Sequence, residues 1–168
     1  LTGIFSNTVI IGTDTLISKG SSDIFIAKYT TSGVAQWARG GGSTDADIAT
    51  SIALDASSNA VITGNYSGKV FFGTDSITAV GNSDIFVANG AYQWLRSGGG
   101  SGNDLGQDIT TDASGNVYVT GFFLATATFG SKSVTSIGKA DVFVVKYNSS
   151  GAVQWVQRAG GEDNDYPY

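Results

Sequence analysis

The chain has 168 residues with no cysteine, histidine or methionine, 24 glycines, 41% apolar residues and a net charge of −5. Without cysteine there is no disulfide or thiolate-bound metal, and without histidine the Ser-His, Cys-His and His-metal chemistries are excluded within this sequence. The acidic balance argues against a nucleic-acid footprint, and no apolar run approaches membrane-spanning length.

In chain order, Thr2-Gly3 ends a strand and Ile11-Gly12 marks a small hairpin-like stretch. Asp23-Ile24-Phe25 opens a strand running toward Tyr29, and Trp37 follows in the phrase Gly-Val-Ala-Gln-Trp. The glycines 40–42 lead to Asp47, and Ser51 to Leu54 is a short strand. Asp55-Ala56-Ser57-Ser58-Asn59 is a turn whose Asp and Asn hydrogen-bond their own backbone. Val61 to Tyr66 is the next strand, and 68–81 is an added stretch. The series then recurs: Asp84-Ile85-Phe86, Trp94, glycines 98–100, Asp104, a strand over Ile109–Thr111, the turn 112–116 and a strand over Val117–Phe122. It recurs again as a hairpin around Phe129-Gly130 and Val134, a strand from Asp141 to Tyr147 and one from Ala152 to Gln157 bearing Trp155. The strands are rich in Val, Ile, Phe, Tyr and Thr, which fit pleated sheets.

The Asp-x-Phe, Thr-Gly and Phe/Ile-Gly series step by 61 and then 57 residues, whereas the tryptophans step by 57 and then 61. All agree if the period is 61 and the middle repeat lacks four residues between Asp84 and Trp94, counterparts of Lys28–Thr31 or Lys146–Ser149. Either that hairpin is shorter, turning at Asn89-Gly90, or four loop-tip residues are missing from the sequence. We favour the second, because disorder concentrates at loop tips. An Ala88–Asn89 Cα separation of about 3.8 Å would decide for the first.

Four main strands per repeat, several apolar on both faces such as Val142-Phe143-Val144-Val145, require sheets sandwiched between sheets. The expectation is all-β: a β-propeller, with about three four-stranded blades of a larger propeller. The repeats are approximately 2–62, 63–119 and 120–168. A β-sandwich or a β-solenoid is the runner-up. A closed propeller takes roughly four to eight blades, so the other blades are expected from the same polypeptide or from identical chains. The missing methionine points to an excerpt or a processed product.

The phrases DASGNVYVTGFF (112–123) and DVFVVKYNSSGAVQW (141–155), with a Gly-rich link, resemble the SBBP-type bacterial β-propeller repeat. The resemblance covers essentially the whole chain, the middle repeat departing at its Lys-Tyr segment. It implies a large secreted or surface-attached bacterial protein, with cell-surface proteins, glycans or secretion machinery as partners.

The candidate chemistry is acidic. Asp47, Asp104 and Asp165 each follow a tryptophan by ten residues, with Asp45, Asp108, Glu162 and Asp163 nearby. Carboxylates converging there would make calcium ligands, although no loop has the spacing of a calcium-binding loop. The bland reading, which we favour, is that each caps a turn. Asp55 and Asp112 read as turn formers, and Asp23, Asp84 and Asp141 pin the starts of strands. The tryptophans read as core or inter-blade packing. The triple glycines lack the Lys-Ser/Thr of a phosphate loop, which excludes nucleotide binding.

The expected function is a non-catalytic binding, adhesion or spacer module, extracellular or on a bacterial cell surface. The alternative is a carbohydrate-active enzyme, a glycosidase or lyase, with catalytic residues in blades outside this chain.

Overall fold

The computed structural model describes residues 1–168 and contains only β structure. The first blade gives β1 (Thr2–Phe5), β2 (Thr8–Ile11), β3 (Asp14–Ile17), β4 (Asp23–Tyr29) and β5 (Ala35–Gly42). The second gives β6 (Asp47–Leu54), β7 (Ala60–Tyr66), β8 (Lys69–Phe72), β9 (Asp75–Thr78), β10 (Asp84–Asn89) and β11 (Leu95–Gly99). The third gives β12 (Leu105–Thr111), β13 (Val117–Phe129), β14 (Lys132–Tyr147) and β15 (Val153–Ala159).

Antiparallel pairing in simple sequence order builds the blades. The second is β6-β7-β10-β11, the third β12-β13-β14-β15, and the first consists of β1-β4-β5. First strands lie side by side between blades. Thr50 Oγ1 donates to Gly106 O at 2.7 Å, and Thr111 Oγ1 donates to Leu54 O at 2.6 Å. Strands β6 and β12 begin four residues before the expected starts, at Asp47 and Leu105. A bulge at Ala49/Ser51 and another at Gly106/Asp108 interrupt their alternation and hide these first halves from a period-two reading.

The core lies between blades. One buried cluster joins Ile24 and Ile26 of the first blade to Ile62, Phe72, Phe86 and Ala88 of the second. The other joins Val61, Ile85, Val87 and Trp94 of the second to Val119, Phe143 and Tyr147 of the third. Neighbours along β7 and β10 therefore point into different cores, and every residue of β10 is buried. The fold is a β-propeller. Three consecutive blades are present, and the middle one is covered on both faces as its sequence requires.

The added stretch has a mechanical role. It is a hairpin between the second and third strands of each blade: β2–β3, β8–β9, and the outer halves of β13 and β14. The hairpin of one blade pairs with the last strand of the blade before it, Phe72 opposite Gly41 and Phe129 opposite Gly98. Each phenylalanine ring occupies the space where a side chain on that glycine would stand. Without the hairpin segment 67–83, the period falls to roughly the 40–45 residues of ordinary propeller repeats.

In this sequence the β10–β11 segment closes as a short hairpin. Strand β10 runs unbroken through Ala88 and Asn89, and the turn closes with Tyr92 N–H donating to Asn89 O at 2.7 Å. It is not the two-residue Asn89-Gly90 turn: Asn89 N–H donates to Trp94 O at 3.1 Å, and the loop runs from Gly90 to Gln93 with Tyr92 in the left-handed region at φ 58°. Ala88 opposes Leu95 as Ala27 opposes Ala38 and Val145 opposes Val156. The lost residues thus correspond to Tyr29–Ser32 and Tyr147–Ser150, one position later than the sequence alignment places them.

Candidate functional site

The repeated motifs turn out to bond to one another. The hydroxyl of Thr2, Thr63 or Thr120 donates to the carbonyl of Phe25, Phe86 or Phe143, at 2.8, 2.9 and 2.9 Å. Thr-Gly and Asp-x-Phe recur in step because each blade spends one on the other. At Gly64 and Gly121 any side chain would run into Ile48 O and Leu105 O of the bulged first strand.

The aspartates meet in pairs at the blade corners. Asp23 with Asp47, Asp84 with Asp104, and Asp141 with Asp165 lie about the last glycines of the fourth strands, Gly42, Gly99 and Gly160. Asp104 accepts N–H bonds from Gly100 at 2.7 Å and Leu124 at 3.0 Å. Asp165 accepts from Gly161 at 2.8 Å, and Asp47 accepts the Ser43 hydroxyl at 2.9 Å. Asp23 and Asp84 accept N–H bonds from Lys19 and Val80, fixing the loop before β4 and β10 as expected, whereas Asp141 accepts from Ile137 inside β14, which begins nine residues before the expected start. Asp55 and Asp112 hold their turns through bonds from Ser57 and Asn59, and from Ser114 and Asn116.

The candidate calcium ligands Asp47, Asp104 and Asp165 therefore occupy three separate corners, and no three acidic side chains gather as a metal set would. Asp45 is exposed, Asp108 accepts the Ser51 hydroxyl at 2.6 Å, and Asp163 pairs with Lys139 at 3.0 Å. Burial pushes Asp47 and Asp104 up to about 6, against the downward pull of their hydrogen bonds, and raises Asp84. The Asn116 amide, foremost among its partners, draws Asp112 down to about 2.

Trp37 and Trp94 pack in the seams between blades, whereas Trp155 rests against Tyr118 of its own blade, with ring centroids 6.1 Å apart. Trp94 is 6% exposed, Trp37 is half-buried and Trp155 is 36% exposed. In the second–third seam, the tip of the β14–β15 hairpin covers Trp94. Its indole N–H donates to Ser149 O at 3.2 Å. Arg96 commits three nitrogens: Nε to Gly151 O at 2.7 Å, Nη1 to Leu95 O at 2.8 Å and Nη2 to Ser150 O at 3.0 Å.

The first–second seam has the same Trp-x-Arg, Trp37 and Arg39, but faces the short β10–β11 hairpin. Arg39 lies over the Trp37 ring at 4.9 Å and donates only Nη1, to Gly90 O at 3.0 Å. Beside it opens a cavity of about 420 Å³, whose walls include Lys28, Tyr29, Trp37, Arg39, Leu54 and Asn59. Sequence reasoning missed Arg39. The signal was present in the Trp-x-Arg shared by two repeats, next to a four-residue deletion in the hairpin that meets it.

No family model matches the chain. It is 29% identical, over 177 aligned positions, to an uncharacterised WD repeat-containing protein of Acanthamoeba polyphaga mimivirus. The match covers 91% of this chain, which spans only 13% of that relative's length. WD repeats build four-stranded propeller blades, in agreement with the blades described above.

Proposed function

We propose that the chain is a non-catalytic binding module of a secreted or cell-surface protein, its blades serving as a rigid frame for contacts with a glycan or a surface partner. The observation that carries this reading is the division of labour among its polar residues. The repeated Thr and Asp side chains are spent on backbone groups within the blades, and the amides of Asn59 and Asn116 donate to Asp55 and Asp112. Lys28 and most of the Arg39 guanidinium are free of such duties and lie in the first–second seam, beside aromatic and aliphatic side chains. A concave, largely apolar site with a few convergent polar groups is the usual form of a small-ligand site. The resemblance of 112–123 and 141–155 to SBBP-type repeats supports the extracellular assignment.

A glycan array probed with the complete protein, with product analysis of every bound glycan, tests the proposal. Selective retention without turnover is the expected result. Product formation would replace it with the carbohydrate-active enzyme.

A further inference from the structure

The two inter-blade seams present the same donors under different roofs. In the second–third seam the loop carbonyls of Ser149, Ser150 and Gly151 accept from Trp94 Nε1 and from Arg96 Nη2 and Nε. In the first–second seam the hairpin is four residues shorter, and the loop that would bring such carbonyls is absent. Trp37 Nε1 and the Nε and Nη2 of Arg39 have no protein acceptor there, since Arg39 makes a single hydrogen bond. Trp37 and Arg39 line the cavity of about 420 Å³ together with the exposed Lys28.

The charge of the cavity is opposite to that of the chain. Its charged side chains are Lys28 and Arg39, with no carboxylate in the wall, although the sequence carries a net charge of −5. A guanidinium fork suits a planar carboxylate, which accepts two parallel N–H bonds. The Arg39 guanidinium is already held, stacked between Trp37 at 4.9 Å and Tyr92 at 5.4 Å. Little side-chain freedom is left to lose on binding. The rest of the wall pairs an aromatic and aliphatic surface, from Trp37, Tyr29 and Leu54, with the side chain of Ser58 and with Asn59, whose amide nitrogen is already held by Asp55 at 3.0 Å. That combination suits a ring with apolar C–H faces and hydroxyl edges.

We propose that this seam binds a carboxylate-bearing sugar of the uronic-acid class, with its carboxylate on Arg39 and Lys28 and its ring against Trp37. The site depends on the shortened hairpin of the second repeat and on Trp37 and Arg39 of the first. It rests on the reading of the chain as a binding module and gives that module a ligand class.

The test is a titration with glucuronate and galacturonate, against glucose and galactose, followed by tryptophan fluorescence and saturation-transfer NMR. A saturable response to a uronate, at least tenfold stronger than to the neutral sugars, is expected. Arg39→Gln should weaken it at least tenfold. Inserting the third repeat's Tyr147–Ser150 sequence between Asn89 and Gly90 should abolish it, because the restored loop supplies the carbonyls and fills the cavity. This second variant keeps the test decisive if Arg39→Gln fails to fold. An equal response to neutral sugars, no response, or binding unchanged by the insertion would overturn the proposal. So would tighter binding of a glutamate-bearing dipeptide. Glycan-array binding that survives the insertion would remove this site and leave the binding module standing.

Discussion

Two populations of aspartate in this protein respond to pH in opposite directions. Asp47 and Asp104 are fully buried, and burial raises each to about 6 from the ordinary 3.8. Between about pH 4 and 6 the folded chain holds protons that the unfolded chain has released, so stability falls as pH rises through that window. At 1.36 kcal/mol per unit, each group contributes at most about 3 kcal/mol of change. Asp112 acts the other way, because its depressed value near 2 makes its contribution present above pH 4 and lost on acidification toward 2. The thermal midpoint should therefore peak near pH 4 to 5 and stand at least several degrees below that peak at pH 7.5, which calorimetry across pH reads directly. Asp104→Asn should flatten the descent while costing about 1 kcal/mol, since an amide cannot accept from both Gly100 and Leu124. A midpoint that rises steadily from pH 4 to 7.5 would contradict the buried-pair account.

At the level of strands and hairpins, the glycine-rich ends of the fourth strands are where blades join. Phe129 lies over Gly98, and a methyl group there would meet the ring. Gly98→Ala should cost about 1 to 3 kcal/mol by overpacking, whereas Gly33→Ala, with nothing near its side-chain position, probes only the left-handed backbone at φ 82°. Chemical denaturation of the two variants separates packing from backbone cost. Trp94→Ala should be more damaging, about 3 to 5 kcal/mol, and Trp155→Ala clearly less, since Trp155 is 36% exposed. Equal losses at the two tryptophans would mean that the seam is not what buries Trp94. The four-strand blade was legible in the sequence because apolar alternation survives along the chain and the Asp-x-x-x-Asn turn occurs twice, at 55–59 and 112–116. The inward halves of β6 and β12 were not, because their bulges break the alternation. The glycine triplets were legible only as not being a phosphate loop. Their partners, Phe72 and Phe129, stand some 31 residues away in sequence, and contact across a seam leaves no local period. The unequal seams around Trp37 and Trp94 were hidden for a related reason: a deletion in one repeat changes the surroundings of a residue in its neighbour.

Across the whole molecule, stability is set by how many blades flank each element, as in other arrays where a repeat contacts only its neighbours. The second blade has a core on either side, and β10 is buried along its whole length. The hairpin β8–β9 and the outer part of β13–β14 are each hydrogen-bonded to the preceding blade, whereas β2–β3 forms a two-stranded sheet paired with nothing else. An isolated two-stranded hairpin is marginal in water. A small cluster of Ile11, Ala27 and Ala38, with partly buried neighbours, and the Ala38 N–H bond to Asp14 Oδ2 at 2.7 Å hold β2–β3 against its own blade. Hydrogen exchange should therefore rank the three hairpins, although their sequences are copies. In a 168-residue fragment with no blade before β2–β3, amides of Thr8–Ile17 should exchange first, those of Lys69–Thr78 later, and those of Thr126–Thr135 later still, because there the hairpin strands continue into the blade itself. The slowest amides of all should be those of β10 paired with β7, Ile85 to Ala88. If β2–β3 were as protected as β8–β9, the pairing between a hairpin and the blade before it would not be what holds the hairpins in place.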